Sequence, residues 1–172
     1  MITLRSVGAS ELPAIEVALS GVLHPVADIF LPSQGVVAED DSVVIGVAAV
    51  DMANTVGFLR QHFVSPVYRG QGLGTRIVRY AVLRGFERGL ASVFVSAAKL
   101  EIFYYRAGFG PDDFSFLPAC FWPNVASDRA HPPSVMSCRR VFGGRHGDGA
   151  DSQGRSQVNP CFVPRRDCDF GP

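Results

Sequence analysis

The chain reads as an α/β (α+β) protein of one domain, and three observations predict this. Runs rich in β-branched residues alternate with segments of helical period, giving the order β-α-β-β-β-α-β-α-β. Apolar residues make up 47% of the sequence and charged residues 19%, a composition well clear of the disordered class. A length of 172 residues is enough for one sizeable core and short for two.

Residues 1–8 open with a strand pattern. Ser10 then stands as an N-cap for a helix over Glu11–Leu23, with Pro13 in the first turn, where its missing N–H does no harm. His24–Gly35 carries two prolines and little periodicity, and reads as a loop or short helix. Val36–Glu39 and Val43–Asp51 flank the turn-forming pair Asp40-Asp41 as an antiparallel hairpin; Val56–Val64 follows Asn54 as a third strand, ended by Ser65-Pro66. Gly74–Arg88 predicts a helix whose apolar half is Leu73, Ile77, Val78, Ala81 and Val82, stopped by Gly89. Arg84 projects from that half, so its stem must reach past the core to water or an acid. Ala91–Ala97 is a strand, Leu100–Ala107 a short helix closed by Gly108, and Ser134–Val141 a last strand. These elements place the folded domain at residues 1–142. From Gly143 to Pro172 six glycines and three prolines are scattered among Arg, Asp, Ser and Gln, the composition of a disordered tail.

Sixteen basic and sixteen acidic residues leave no whole-chain field to attract nucleic acid or an anionic membrane, so neither is an expected partner. No apolar run reaches the ~18 residues of a membrane span, and Met1-Ile2-Thr3-Leu4-Arg5 lacks the pattern of a secretory signal. A cytoplasmic protein is the expectation. Cys120, Cys138, Cys161 and Cys168 form no CxxC pair and match no suitably spaced histidines; free thiols and no metal site are expected.

The chemistry is concentrated in Arg69-Gly70-Gln71-Gly72-Leu73-Gly74, between a strand and a helix. Glycines at 70, 72 and 74 let backbone approach a ligand while successive N–H groups point outward, and the helix adds its positive end. A pyrophosphate is the natural guest. The Gly-Lys-Ser/Thr of a Walker loop is absent, and a dinucleotide fingerprint belongs after the first strand. The hexapeptide alone suits a tight turn that packs a helix on a sheet equally well.

Leu59–Gly74 and Phe103-Tyr104-Tyr105-Arg106-Ala107-Gly108-Phe109 together resemble the two signature blocks of the GNAT superfamily. Its cofactor loop, Gln/Arg-x-x-Gly-x-Gly/Ala, is matched by Arg69, Gly72 and Gly74; its FYxxxGF block is matched by Phe103, Tyr104, Gly108 and Phe109. Within it, Val37–Asp41, Leu59-Arg60-Gln61 and the Gly-rich hexapeptide look like the N-acetylglutamate-synthase-like and arsenic-resistance acetyltransferases, and Pro132–Met136 before Arg139-Arg140 is similar to their final strand. The likeness extends over residues 1 to about 142 and is weakest over Gly110–His131.

The resemblance implies a central mixed, mostly antiparallel sheet flanked by helices, and direct attack of a neutral amine on the thioester of acetyl-CoA in a ternary complex. It gives Phe63, Val64, Arg69, Gly70, Gln71, Gly72, Leu73 and Gly74 to the cofactor, with Phe63 and Val64 N–H as oxyanion donors. Tyr104 would protonate the departing thiolate, since phenol and thiol pKa values lie about 1–2 units apart; Tyr105, roughly 100° around the helix, would not. Many relatives place a glutamate base on the strand before the loop, where this chain has Phe58. His62 has suitable chemistry, although a structural histidine or deprotonation through water suits it too. Arg60 is placed to bind a substrate carboxylate, with a salt bridge to an acid in the sheet of equal weight. Arg76 and Arg79 read as a solvated face. The expected acceptor is a small amino-acid-like amine, with a protein lysine or N-terminus, or a non-catalytic acetyl-CoA sensor, as alternatives; a homodimer is compatible with either.

Overall fold

A computed structural model of the chain describes residues 1–7, 11, 15, 34–97, 100–121 and 134–140. Seven strands form one open sheet in the order β1-β2-β3-β4-β5-β7-β6. They are β1 Ile2–Val7, β2 Gln34–Asp40, β3 Val43–Ala53, β4 Val56–Val64, β5 Ser92–Ser96, β6 Gly110–Asp112 and β7 Val135–Arg139. Every pairing is antiparallel except β4 with β5. The predicted meander is present. Its first turn falls at Asp41 and Ser42, with φ +47° and +69°, one residue beyond the aspartate pair.

Helix α1, Leu73–Glu87, connects the parallel strands β4 and β5, as a parallel crossover requires. Its predicted apolar half is the half that is buried: Leu73, Ile77, Val78, Ala81 and Val82, extended by Gly85 and Phe86. Arg84 reaches past the core as its position demands, with Nε donating to Ser6 Oγ at 3.1 Å and Nη1 to Glu87 at 2.6 Å. Gly89, at φ +99°, ends the helix. Helix α2, Glu101–Ala107, is closed by Gly108 at φ +100°.

One face of the sheet packs under α1 and α2, where Val36, Ala48, Val50, Leu59, Val93 and Val95 meet Ile77, Val78, Ala81 and Tyr104. On the other face Phe58 and Phe94 pack with Leu117, Phe121 and Val135. Phe58 therefore belongs to an apolar layer, its ring 5.5 Å from that of Phe121. The segment after Gly110, where the family likeness is weakest, supplies β6 and single 3-10 turns at Phe114–Phe116 and Ala119–Phe121. β6, three residues long, was too short to signal itself by alternation. The expected helix over Glu11–Leu23 lies outside the described residues save Glu11 and Ile15, as do most of His24–Gly35, the tail from Gly143, and Cys161 and Cys168. Cys138 is buried and Cys120 exposed.

Two register shifts bend the meander. Between β3 and β4, Ala49 pairs with Gln61 and Val50 with Leu59, so Arg60 is an extra residue in a bulge, which increases local twist and bends the strand. β4 then leaves β5: the two pair only through Val56, Gly57 and Phe58.

Gly57 allows α1's end to sit close on that short parallel pairing, since a Cβ there would lie 2.7 Å from Leu90 Cδ1 and 2.8 Å from Val50 Cγ1. Gly57→Val should therefore lower stability by about 1–3 kcal/mol through overpacking. Urea unfolding of variant and parent measures it, and an unchanged midpoint would contradict the packing described.

Candidate functional site

Beyond Phe58, β4 has lost its neighbour, and its backbone groups on that side need other partners. Which groups these are follows from the ladder. Ser65 N–H donates to Ile45 O at 2.8 Å, so by the two-residue alternation of antiparallel pairing Phe63 and Gln61 also turn their N–H groups to β3. Those of His62 and Val64 face the gap. Phe63 N–H, expected as an oxyanion donor, is thereby assigned to the ladder opposite Val47; Val64 N–H keeps the geometry that role needs. The carbonyl of Val64, on the same edge, accepts from Arg69 Nε at 2.9 Å.

A cleft of about 950 Å³ occupies this gap. One wall is the end of β4 with His62, Phe63 and Val64; the floor is Arg69, Gly70, Gly72, Gly74 and Thr75; the other wall is α2 with Leu100–Phe103 and Arg106. A 3-10 turn, Pro66–Tyr68, carries the chain from β4 into the floor, and Tyr68 anchors it by donating to Asp40 Oδ2 at 3.1 Å.

The three glycines of the floor divide into two kinds. Gly70 and Gly72 have φ +77° and +78°, with open space where a side chain would stand, so they shape a left-handed turn that bares backbone N–H groups at the start of α1. Gly74 lies within the helix, and a Cβ there would come 3.2 Å from the Phe103 ring. Its smallness serves the contact between α1 and α2. Leu73 is buried in the core and Gln71 is exposed, with Nε2 3.4 Å from Val67 O; neither side chain lines the cleft. Arg69 does, stacked 5.8 Å from the Phe63 ring, and Arg106 adds a second guanidinium from α2. A helix start with bared N–H groups flanked by two arginines suits an anionic ligand.

His62 is wedged into the α2 wall. Its ring stacks on Phe103 at 4.9 Å and 7°, and Nδ1 lies 3.2 Å from Tyr104 Oη. Burial holds the imidazole below its ordinary pKa of 6.5 and pushes the Tyr104 phenol up to about 12. Tyr104 is 4% exposed and is absent from the cleft lining, whereas His62 is part of it. Tyr105, one position on, is 64% exposed.

Arg60 takes the alternative that its sequence position allowed. Its Nε lies 2.5 Å from Asp51 Oδ2, Asp51 is 1% exposed, and neither residue lines the cleft. Burial raises the Asp51 pKa against the lowering effect of Arg60. Alternation explains the pairing, because Arg60, two residues from Phe58, shares the face that Asp51 occupies opposite Phe58, while the bulge puts His62, opposite Ala48, on the other face. Asp51 was missed because it sits inside the apolar run of β3. Arg106 and Phe103 were legible only as parts of the FYxxxGF block. Arg79 donates to Arg106 O at 2.7 Å and so braces α2 against α1. Among the described residues there is no group of three or more metal-ligating side chains, and no helix long and apolar enough to cross a membrane.

Residues 32–111 match the family model of the acetyltransferase (GNAT) domain. No curated protein matches the chain. Solved structures do. N-acetylglutamate synthase from Neisseria gonorrhoeae, complexed with coenzyme A and N-acetyl-glutamate, aligns with a TM-score of 0.65 at 17% identity over 81% of this chain. The chain spans 35% of that enzyme's length. The ribosomal-protein-S18-alanine N-acetyltransferase of Escherichia coli aligns at 0.60 and 16% identity, over 87% of this chain and 100% of its own. A GNAT family N-acetyltransferase of Escherichia coli, YhbS, in complex with CoA, aligns at 0.56 and 21% identity, over 80% and 81%. At such identities the likeness speaks for the fold, and it agrees with the segment that the family model matches: the chain has a GNAT-like fold, and residues 32–111 resemble the acetyltransferase (GNAT) domain.

Proposed function

We propose that the protein moves the acetyl group of acetyl-CoA to the amine of a small amino-acid-like molecule, by direct attack in a ternary complex. The observation that carries this reading is the meeting, in one cleft, of a Gly-rich helix start with the unpaired edge of β4. A pyrophosphate fits the first: bared N–H groups at Gly70–Gly74, the positive end of α1, and the guanidinium of Arg69. An extended chain bearing amides fits the second, with the N–H groups of His62 and Val64 on the gap side. Coenzyme A unites those two chemistries in one molecule. Its reacting carbon would then lie along β4 near Val64, whose N–H supports the oxyanion as the amine adds.

Support for a small acceptor comes from the fold relative solved with N-acetyl-glutamate. Arg60 lends it none, being engaged by Asp51. A protein lysine or N-terminal acceptor, and a sensor that binds acetyl-CoA without turnover, are the readings to be separated from it.

Incubation with acetyl-CoA and a panel of amino acids, small amines, and lysine- and N-terminal peptides, followed by free-thiol release, makes the separation. Turnover on the small amines above the hydrolysis rate is expected; none on any small amine would overturn the acceptor assignment. For the donor half, Gly72→Val should abolish saturable acetyl-CoA binding, while the strain of a left-handed valine costs only about 1–2 kcal/mol of stability. Calorimetric titration and thermal unfolding read the two effects separately, and an unchanged affinity would refute the cradle.

A further inference from the structure

Acyl transfer moves a proton as well as an acetyl group: the amine must lose one and the departing sulfur must gain one. The family resemblance gives the second task to Tyr104 and leaves the first to a strand acid that Phe58 replaces. In this chain the cleft is lined by His62, and Tyr104 lies behind it at 4% exposure, reaching the site only through its 3.2 Å contact with Nδ1. The Phe103 ring, parallel to the imidazole at 4.9 Å, fixes the plane in which that contact is made. Nδ1 is thus committed to Tyr104, and Nε2 makes no hydrogen bond to a described residue.

Resting on the acetyl-transfer reading, we propose that His62 is the catalytic residue that exchanges protons with the reacting atoms. Tyr104 is its positioning residue: its hydroxyl oxygen accepts from Nδ1–H and so leaves Nε2 unprotonated for the cleft. As the amine nitrogen bonds to the thioester carbon, its proton passes to Nε2. As the C–S bond breaks, the electron pair leaves on sulfur and the same proton passes from Nε2 to the thiolate. Acetyl has gone from sulfur to nitrogen, one proton from nitrogen to sulfur, and the imidazole ends in its starting tautomer. No second base is required.

The energetics agree with this division. A phenol pushed up to about 12 is a poor proton donor to a thiolate, whose conjugate acid has a pKa of about 8.5. An imidazole held below 6.5 is neutral at pH 7 and free to accept a proton. Among the described residues, the groups facing His62 are Phe103 and Tyr104 from α2, Ala48 opposite it on β3, and along the cleft Glu101, Arg106 and Arg69. Burial is what displaces its pKa.

Two measurements on the full chain test the pair. Nitrogen-15 NMR of the imidazole at neutral pH should report the Nδ1–H tautomer for His62, replaced by a mixture in Tyr104→Phe; a dominant Nε2–H form would overturn the proposal whether or not an acceptor has been found. In steady-state turnover, His62→Gln should lower kcat at least about a hundredfold, the usual range for a lost general base, with the KM for acetyl-CoA little changed. Tyr104→Phe should lower kcat by a smaller factor, also at unchanged KM, and Tyr105→Phe should do nothing. Activity of the parent should fall as pH drops through a value below 6.5, and His62→Gln should lose that limb. A Tyr104→Phe defect equal to or larger than that of His62→Gln would return the acid's role to the phenol. A parent protein that binds acetyl-CoA yet turns over nothing would instead retract the acetyl-transfer reading, while the tautomer still decides the pair.

Discussion

The parting of β4 from β5 after Phe58 is the constraint on which the rest of this molecule depends. Three residue pairs hold the two strands together, and the bulge at Arg60 then bends β4 away. An unpaired strand edge inside a sheet is ordinarily a liability, because its N–H and carbonyl groups lose hydrogen bonds without regaining water freely. Here the edge faces an open cleft, and Arg69 already satisfies the carbonyl of Val64. Sheet, loop and helix start are arranged around one row of available backbone groups.

Closing that gap would remove the site, so the fold must hold it open without a third strand. Helix α2 does this from one side. Phe103 fills the space beside His62 and presses on Gly74 of α1, while Arg79 clamps the carbonyl of Arg106. The aromatic wall of His62, Phe103, Tyr104 and Phe109 has ring centroids 4.9–5.8 Å apart, so each ring fixes the next. A buried polar pair within such a wall is costly unless it is satisfied, and the contact between Nδ1 and the phenol meets that requirement. The same packing that keeps the cleft open also orients the imidazole of His62 on it.

Local rules made much of this legible in the sequence. The apolar half of α1, the meander and the two helix-closing glycines were readable because helical period, β-branched runs and left-handed caps are decided within a few residues. The left-handed turn at Gly70 and Gly72 was readable for the same reason. Long-range register was not. Nothing in the order Phe58-Leu59-Arg60 tells that Arg60 is an extra residue in a bulge, and without the bulge neither its separation from the face of His62 nor the departure of β4 can be foreseen. Alternation along β4 likewise decides between Phe63 and Val64 as gap-facing donors only once the partner of Ser65 is known. Gly74 looked like a ligand-facing glycine because its helical neighbour Phe103 is 29 positions away.

The central claim, that the gap beside β4 is the seat of the acyl donor, is tested most directly by backbone amide NMR during titration with coenzyme A. Saturable shifts at His62, Val64 and Gly70–Thr75, with Phe63 responding less because its N–H faces β3, are the predicted result. Coenzyme A that leaves those amides unmoved, or that perturbs a different surface, would contradict the account.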